Sequence, residues 1–345
     1  MKKKLRVLVI DDASFMLKAI SEILEDDPDI EVVGTAKNGL EGLKKIKELR
    51  PDIITLDIDM PVMDGIQAVR HIMIEAPLPI IVLSSLFGDG AITFDALRLG
   101  VVDFVAKPSG AISHDIHVGK QQIVDRVKLA CTACMGNIRR VRVSKQQALD
   151  NLSELYGFRS LDYLIAIGTT VSGPNTFIRL LSMLSPRLPA AIVVALDIST
   201  KVLPSFVKRF NDFVPWKVKI ATDNMVIEQG CGYIHSNQSS LTIKTNENGN
   251  FCFQVKEAVE YPLDLFFSSA ADAFQQQTIG LLLTGYGDDG ANGFARIREK
   301  LGITIAQSTE TCVYPNLTDN AIKRNTVDRI VKENKLAETI ESIIT

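Results

Sequence analysis

The sequence predicts an α/β protein of two doubly wound parallel-sheet domains, the second with an antiparallel β-hairpin insert. Short runs of Val, Ile and Leu alternate with amphipathic segments along the chain, as in parallel sheets that helices cover on both faces. This alternation starts twice, at Arg6 and again at Leu164. A length of 345 residues also suits two domains of ordinary size.

The first alternating series predicts five strands and five helices. The strands are expected at 6–10, 31–36, 53–58, 80–84 and 102–106. The helices are expected at 14–25, 40–49, 66–75, 94–99 and 121–140. In the first helix, Phe15, Ile20, Ile23 and Leu24 recur at helical spacing and form an apolar stripe. We assign residues 1–125 to the first domain and residues 126–160 to a helix and an interdomain linker.

The second alternating series defines a domain at residues 161–345. Its strands are expected at 163–168, 190–197, 217–222, 278–284 and 303–307. Its helices are expected at 174–184, 202–211, 264–274, 291–300, 317–324 and 335–344. Between Gly232 and Val255, two Asn-rich breaks separate short strand-like runs, a pattern that predicts an antiparallel meander.

Composition and charge exclude several classes of protein. The net charge is −3, so no basic excess favours nucleic acid as a partner. No apolar run approaches the roughly 20 residues of a membrane span, and no signal peptide follows the basic N-terminus. The five cysteines are odd in number and scattered, which suits a reducing compartment. We expect a cytoplasmic protein that binds no nucleic acid and does not insert into membranes.

Polar side chains stand where four predicted strands of the first domain end. They are Asp11, Asp12, Asp57, Ser84 and Lys107. Because ligands of doubly wound sheets bind outside the carboxyl ends of the strands, these side chains are expected to share one crevice. Three carboxylates repel one another unless a hard cation such as Mg²⁺ lies between them. An aspartate beside Mg²⁺ can attack a phosphoryl group, and the lysine and serine can bind the transferred oxygens.

This crevice, with "DIDMPVMDG" (57–65) and "FVAKPSG" (104–110), resembles the receiver domain of response regulators. The resemblance extends from residue 5 to about 125. It implies that Asp57 is the phospho-acceptor and that Mg²⁺ is held by Asp12, Asp57 and the backbone carbonyl of Asp59, with support from Asp11.

The same resemblance implies a switch. Ser84 and Phe104 match the switch pair of receivers, and Lys107 matches the phosphate ligand. Phosphorylation adds nearly two negative charges at neutral pH. It would draw Ser84 toward the phosphoryl group and let Phe104 rotate into the vacated space. The implied phosphodonor is a histidine kinase of the chemotaxis type.

Three stretches of the second domain resemble the CheB family of chemotaxis methylesterases. They are "LIAIGTTVSGP" (164–174), "IVVALDISTKVLPSFVKRFN" (192–211) and "GLLLTGYGDDGANG" (280–293). Members of this family are receiver-regulated protein-glutamate methylesterases and glutamine deamidases. The resemblance implies a response regulator gated by phosphorylation of Asp57, with the cytoplasmic helices of chemoreceptors as its partners.

The family's catalytic triad is altered in this sequence. Family members use Ser, His and Asp, in which the imidazole takes the hydroxyl proton and the carboxylate orients the imidazole. Carried over by position, the nucleophile is Thr170, the base is Asp197 and the orienting acid is Asp289, while Tyr286 stands where methionine is usual. A carboxylate is a weak base at neutral pH, and loss of a general base costs on the order of 10²–10⁴ in rate. We therefore expect the esterase activity to be impaired or lost, as in a pseudoenzyme.

Other chemistries stay open at this point. An active hydrolase would need Thr170 as nucleophile or a relocated base, for which His235 after the strand-like run 232–234 is the candidate. Ser172 is either a shifted nucleophile or the N-cap of the helix that follows. If Asp197 and Asp289 converge, the pKa of one of them should rise. No cofactor is predicted for the second domain.

Overall fold

A computed structural model describes residues 3–84, 90–107, 115–138 and 161–345. The chain divides into two units, Met1–Arg140 and Val141–Thr345. The part of the predicted helix-and-linker segment (126–160) that follows residue 138 lies outside the described residues. The predicted boundaries at 125 and 160 therefore stay predictions.

A five-stranded parallel sheet forms the centre of the first unit, in the order β2-β1-β3-β4-β5. Its strands are β1 (Leu5–Ile10), β2 (Ile30–Ala36), β3 (Ile53–Leu56), β4 (Ile80–Ser84) and β5 (Asp103–Ala106). Its helices are α1 (Ser14–Glu25), α2 (Gly39–Leu49), α3 (Gly65–Glu75), α4 (Gly90–Leu99) and α5 (Asp115–Ala130). Because the strand order reverses beside β1, the carboxyl ends of β1 and β3 open side by side at the switch point of the sheet.

Helix α5 ends ten residues earlier than the sequence predicts. At its end, the N–H groups of Thr132 and Ala133 bond to the carbonyls of Leu129 and Ala130, three residues back. The hydroxyl of Thr132 bonds to the same Leu129 carbonyl, at 2.8 Å. These tight i to i+3 bonds replace the i to i+4 ladder and terminate the helix.

The second unit contains a seven-stranded sheet in the order β14-β13-β12-β6-β7-β9-β8, in which every pairing is parallel. Its strands are β6 (Tyr163–Gly168), β7 (Ala190–Leu196), β8 (Lys217–Ile220), β9 (Cys231–Ser236), β12 (Thr278–Leu282), β13 (Ile303–Gln307) and β14 (Arg329–Val331). Its helices are α6 (Gly173–Met183), α7 (Leu203–Phe210), α8 (Pro262–Phe274), α9 (Ala291–Glu299), α10 (Asn316–Lys323) and α11 (Leu336–Ile344).

The antiparallel part of the second unit is smaller than the predicted meander. Among the strands of the described residues, β10 (Ser240–Thr245) and β11 (Phe251–Lys256) pair antiparallel, and Val226 adds an isolated antiparallel bridge to Cys252 of β11. The first predicted strand of the meander is β9, which pairs parallel with both β7 and β8. All six residues of β9 are buried, as in a strand inside a parallel sheet that is covered on both faces. The polar residues His235 and Ser236 at its end hid this burial from the sequence pattern.

The predicted fold class is confirmed: both units are parallel-sheet α/β structures, and the second carries an antiparallel hairpin. The sequence did not predict β14, because this strand has only three residues and is largely exposed. Among the helices in the described parts of the chain, none is long and apolar enough to cross a membrane.

Candidate functional site: phosphorylation centre and hydrolase cleft

Three carboxylates meet at the switch point of the first sheet. Oxygens of Asp11, Asp12 and Asp57 lie within 4.8 Å of one another. The backbone positions two of them, because the N–H of Asp57 bonds to the carbonyl of Ile10 at the end of β1, at 2.8 Å. Each buried carboxylate also accepts one local N–H, from Ala13 to Asp11 and from Ile58 to Asp57. The predicted acidic cluster is therefore assembled as expected.

Lys107 bridges the two buried carboxylates. Its Nζ lies 2.7 Å from Oδ2 of Asp11 and 2.9 Å from Oδ2 of Asp57. Burial raises the pKa of Asp57, against the hydrogen bond and charge of Lys107. Burial alone would lower the pKa of Lys107, but the hydrogen bonds and charges of Asp11 and Asp57 raise it overall. One cation thus faces three acidic groups, so the cluster keeps an excess of negative charge.

The donor set of this cluster fits Mg²⁺. All the candidate ligands are carboxylate oxygens, which hard cations prefer, and the uncompensated charge favours a divalent ion. Asp12 is exposed, so a bound ion would keep water ligands on that side. The Asp59 carbonyl as a further ligand stays a prediction.

The two switch residues lie on neighbouring strands. Ser84 ends β4, and its carbonyl accepts the N–H of Lys107 at 2.9 Å. Phe104 pairs in register with Val82, two residues before Ser84, and packs half-buried against the core. Residues 85–89, which follow Ser84, lie outside the described parts of the chain. The switch roles of Ser84 and Phe104 stay predictions.

In the second unit, a tight turn joins β6 to α6. The N–H of Thr169 bonds to the Ala195 carbonyl, and its hydroxyl bonds to the Thr284 carbonyl at 2.6 Å. The N–H of Gly173 bonds back to the carbonyl of Thr170, at 3.1 Å. Ser172 has a φ of 62° and occupies the N-cap position, but its side chain makes no capping bond. Ser172 thus stands at the predicted N-cap position without a side-chain capping bond, and the turn presents Thr170 at the carboxyl edge of the sheet.

The hydroxyl of Thr170 is bonded to the main chain of Tyr286. It accepts the N–H of Tyr286 at 2.8 Å and donates to the carbonyl of the same residue at 2.9 Å. This contact needs a glycine at Gly285, where a Cβ atom would come within 2.6 Å of the hydroxyl oxygen. The single hydroxyl proton is thereby directed to a backbone carbonyl.

Asp197 lies one residue past the end of β7, half-buried. Because β7 pairs with β6, Asp197 and Thr170 leave the sheet at the same edge. Both bonds of the Thr170 hydroxyl nevertheless go to Tyr286 rather than to this carboxylate.

Asp289 holds the start of α8. Its Oδ2 accepts the N–H of Leu263 at 2.7 Å, and its Oδ1 accepts the N–H of Asp264 at 2.9 Å. Burial raises the pKa of Asp289 to about 6, the charge of Asp264 adds to the rise, and the two N–H bonds oppose it. A raised pKa was expected from convergence with Asp197, but its physical causes are burial and Asp264.

His235 lies inside β9, buried, and is not the loop residue that the sequence suggested. Its Nε2 lies 3.1 Å from the Ser239 carbonyl and 3.2 Å from the Ser239 hydroxyl. Burial lowers its pKa, against the backbone of Ser239 and Ala221. Within the described residues, no imidazole bonds to the Thr170 hydroxyl. His235 as a substitute base for Thr170 is therefore contradicted by this geometry.

Sequence reasoning missed two residues that shape this cleft. Asn237 donates from Nδ2 to the carbonyl of Thr169 at 3.1 Å and so ties the end of β9 to the turn. Asp264 contacts Asp289 and the start of α9. The position of Asn237 directly after a strand was a signal that could have identified it. Asp264 looks like an ordinary surface residue of a helix, so the sequence carries no signal for it.

Residues 165–340 match the family model of the CheB methylesterase, and residues 7–114 match that of the response regulator receiver domain. A protein-glutamate methylesterase/protein-glutamine glutaminase of Caldanaerobacter subterraneus subsp. tengcongensis is 34% identical over 356 residues, covering 99% of this chain and 96% of the relative. A second, from Carboxydothermus hydrogenoformans, is 36% identical over 353 residues, covering 99% of both.

Two solved structures from Thermotoga maritima are similar to separate parts of the chain. The response regulator domain of its CheB is 45% identical, with a TM-score of 0.35, and covers 37% of this chain and 97% of that structure. The CheB methylesterase catalytic domain is 26% identical, with a TM-score of 0.47, and covers 53% of this chain and 98% of that structure. The family model and the full-length relatives together show that this chain belongs to the CheB methylesterase family, with a response-regulator receiver domain ahead of its methylesterase domain.

Proposed function

We propose that this protein is a chemotaxis response regulator, controlled by phosphorylation of Asp57, in which methylesterase and glutamine deamidase activity is impaired or lost. Its phosphodonor is a histidine kinase of the chemotaxis type. Its second domain binds the cytoplasmic helices of chemoreceptors through the family scaffold. The observation that carries the proposed loss of hydrolysis is that the Thr170 hydroxyl makes two hydrogen bonds to the main chain of Tyr286.

The first unit supports the phosphorylation step. Asp57 is buried at the carboxyl edge of the sheet, with Oδ1 bonded to the N–H of Ile58 and Oδ2 against Lys107, and it is the proposed acceptor of the phosphoryl group. With Asp11 and Asp12 it would hold Mg²⁺, which screens the charge of the phosphoryl donor when bound. Lys107 already contacts Oδ2 of Asp57 and can move with the transferred oxygens.

Among the described residues of the second unit, the bonds of the Thr170 hydroxyl do not include one to a side-chain base, which supports this proposal. The Thr170 proton goes to a carbonyl, which cannot accept it as a base does. Asp197 replaces the family's histidine, and the ring of His235 is bonded to Ser239. Ester and amide hydrolysis through a hydroxyl needs a base within hydrogen-bond reach of that hydroxyl.

The alternative is an active hydrolase that acts on glutamate methyl esters or glutamine side chains of receptors. Its support is that full-length relatives at 34–36% identity carry the name protein-glutamate methylesterase/protein-glutamine glutaminase. In that case Thr170 would have to leave Tyr286 when substrate binds.

Methanol release separates the two candidates. The full chain, with Mg²⁺ and acetyl phosphate, is mixed with methyl-esterified receptor, and the Caldanaerobacter relative serves as the positive control. We expect no methanol above the level of an Asp57→Asn variant. Turnover that disappears in Thr170→Ala but persists in Ser172→Ala would instead establish the active hydrolase. The reverse pattern would place the nucleophile at Ser172.

A further inference from the structure

Helices α8 and α9 each begin without a local side-chain cap. Tyr261 occupies the N-cap of α8 and Gly290 the N-cap of α9, and neither supplies a side-chain acceptor. Helix starts leave up to four N–H groups without helical partners. The acceptors for both helices must therefore come from elsewhere in the chain.

Each helix is capped by an aspartate that belongs to the other. Asp289, just before α9, accepts the N–H groups of Leu263 and Asp264 in the first turn of α8, at 2.7 and 2.9 Å. Asp264, in that same turn, accepts the N–H of Gly293 in the first turn of α9 at 2.8 Å. Its other oxygen accepts the side-chain amide of Asn292, at 2.7 Å.

The remaining N–H groups at the start of α8 are accounted for. Pro262 has none, and the N–H of Leu265 bonds to the carbonyl of Tyr261. The N–H groups of Leu263 and Asp264 are the two in the first turn that have no backbone acceptor within the helix, and Asp289 accepts both. This is a complete cap provided by a residue 25 positions later in the chain.

The two helices approach each other closely at this point. A Cβ atom on Gly293 would come within 2.6 Å of the Phe267 Cβ and 2.9 Å of the Asp264 carbonyl oxygen. Only glycine at position 293 allows the two helices to come this close. The close packing of α8 and α9 therefore explains a glycine four residues after Asp289 in "GDDGANG".

The loop at 285–290, which connects the Thr170 site to the contact between α8 and α9, is held at three places. The Tyr286 backbone bonds to the Thr170 hydroxyl, the Gly287 carbonyl accepts the Asn320 amide at 2.8 Å, and Asp289 binds α8. Loosening the last contact would free one end of the loop that binds Thr170.

We propose that Asp289 and Asp264 form a reciprocal helix clasp that positions the loop at 285–290 against Thr170. Asp289 therefore has a structural duty in this chain besides the acid position of the family triad, and Asp264 is a positioning residue that acts through it. An aspartate at position 289 does not by itself indicate a working triad. This inference is independent of the proposed loss of hydrolysis, because its readouts are folding and amide exchange.

The first test uses the full chain and Trp216. This is the single tryptophan, it is buried in the second unit, and its fluorescence reports the unfolding of that unit. We expect Asp289→Ala and Asp264→Ala each to raise the unfolding equilibrium constant about tenfold, as the loss of an N-cap does. The unfolding equilibrium constant of the double variant should rise by less than the product of the two single effects. Both carboxylates hold the same contact between the starts of α8 and α9, so the loss of one weakens the bonds of the other. The exposed neighbour Asp288→Ala is the matched control and should change little.

Rescue and exchange complete the test. Asp289→Ser and Asp289→Asn keep a capping acceptor and should regain at least half of the loss on a logarithmic scale. Amide hydrogen exchange in Asp289→Ala should speed up at 263–265 and at Tyr286, with no change in β7. If Asp289→Ala fails to fold, the Ser and Asn variants decide alone. The clasp would be overturned if the Ser and Asn variants were as unstable as Asp289→Ala, or if the two single effects on the unfolding equilibrium constant simply multiplied in the double variant. An unchanged amide exchange rate at Tyr286 would also overturn it.

Discussion

The two units place polar side chains at the same kind of edge, the carboxyl ends of a parallel sheet, but use them differently. In the first unit, Asp11 and Asp57 turn toward a buried lysine and a shared space that suits a cation. In the second, Thr170 and Asp289 turn toward backbone N–H and C=O groups. In the first site, salt bridges that can rearrange hold the reactive carboxylates. In the second site, the hydroxyl and the carboxylate make hydrogen bonds to the backbone that stabilise the local structure.

A reactive residue type at a site does not by itself mean that the side chain is free to react. A carboxylate or hydroxyl that is bonded to the backbone stabilises a loop, and it must break those bonds before it can react.

Replacement of the phospho-acceptor should abolish phosphorylation completely. In Asp57→Asn no carboxylate is left to attack the phosphoryl donor, so the full chain should not gain mass in acetyl phosphate and Mg²⁺. Asp59→Asn is the matched control, because it keeps the backbone carbonyl and changes only an exposed side chain. Intact mass spectrometry measures both, and phosphorylation of Asp57→Asn would remove Asp57 as the acceptor.

Placing serine and histidine at the two positions where the family resemblance implies them should create hydrolysis. The double variant Thr170→Ser with Asp197→His supplies an unbranched hydroxyl and an imidazole, and we expect methanol release to rise on the order of 10²–10⁴ over the natural chain. Thr170→Ser alone should release none, since it still lacks a base. A silent double variant would show that the scaffold, and not just two side chains, has departed from a hydrolase.

Removal of the bridging lysine should make the first unit dependent on Mg²⁺. Lys107→Met leaves three carboxylates without a counter-charge, and breaking such a buried pair costs about 3–5 kcal/mol. Mg²⁺ should restore more stability to this variant than to the natural chain, because bound cation replaces the lost charge. Calorimetry with and without MgCl₂ tests this, and equal Mg²⁺ effects in both chains would contradict it.

The smallest effect concerns pH and Asp289. Its pKa is about 6 in the folded unit and 3.8 in the reference state, so the folded chain binds this proton more tightly than the unfolded chain. Lowering the pH from about 7 to about 4 should therefore add up to about 3 kcal/mol of stability through this group. The unfolding free energy of the natural chain minus that of Asp289→Asn, followed by Trp216 fluorescence, should rise as pH falls. A difference that stays constant with pH would contradict the raised pKa.

Much of the architecture was predictable from the sequence because periodicity and strand-end residues are local signals. The buried runs at β1 and β3 end in Asp11 and Asp57, and parallel pairing brings such ends together. Prediction failed where tertiary contacts override a local pattern. β9 looked like an edge of a meander because His235 and Ser236 are polar, yet it lies between β7 and β8.

The cleft of the second unit was predictable in location but not in bonding. The motif around Thr170 places a turn after β6, and the family resemblance implies Asp289 as the acid position. No local pattern shows that the Thr170 hydroxyl reaches a residue 116 positions away, or that His235 turns to Ser239. Such bonds depend on which loops the sheet order brings together.

Residue type and periodicity, which are written along the chain, were enough to predict the two-domain α/β class, the family resemblance and the candidate residues Asp57, Thr170, Asp197 and Asp289. What these side chains contact depends on the packing of distant parts of the chain. This packing gave Lys107 two carboxylate partners, tied Thr170 to Tyr286 and made Asp289 the cap of a distant helix. The physical reason is that a hydrogen bond is set by distance and direction in space, and only chain packing fixes these for residues far apart in sequence.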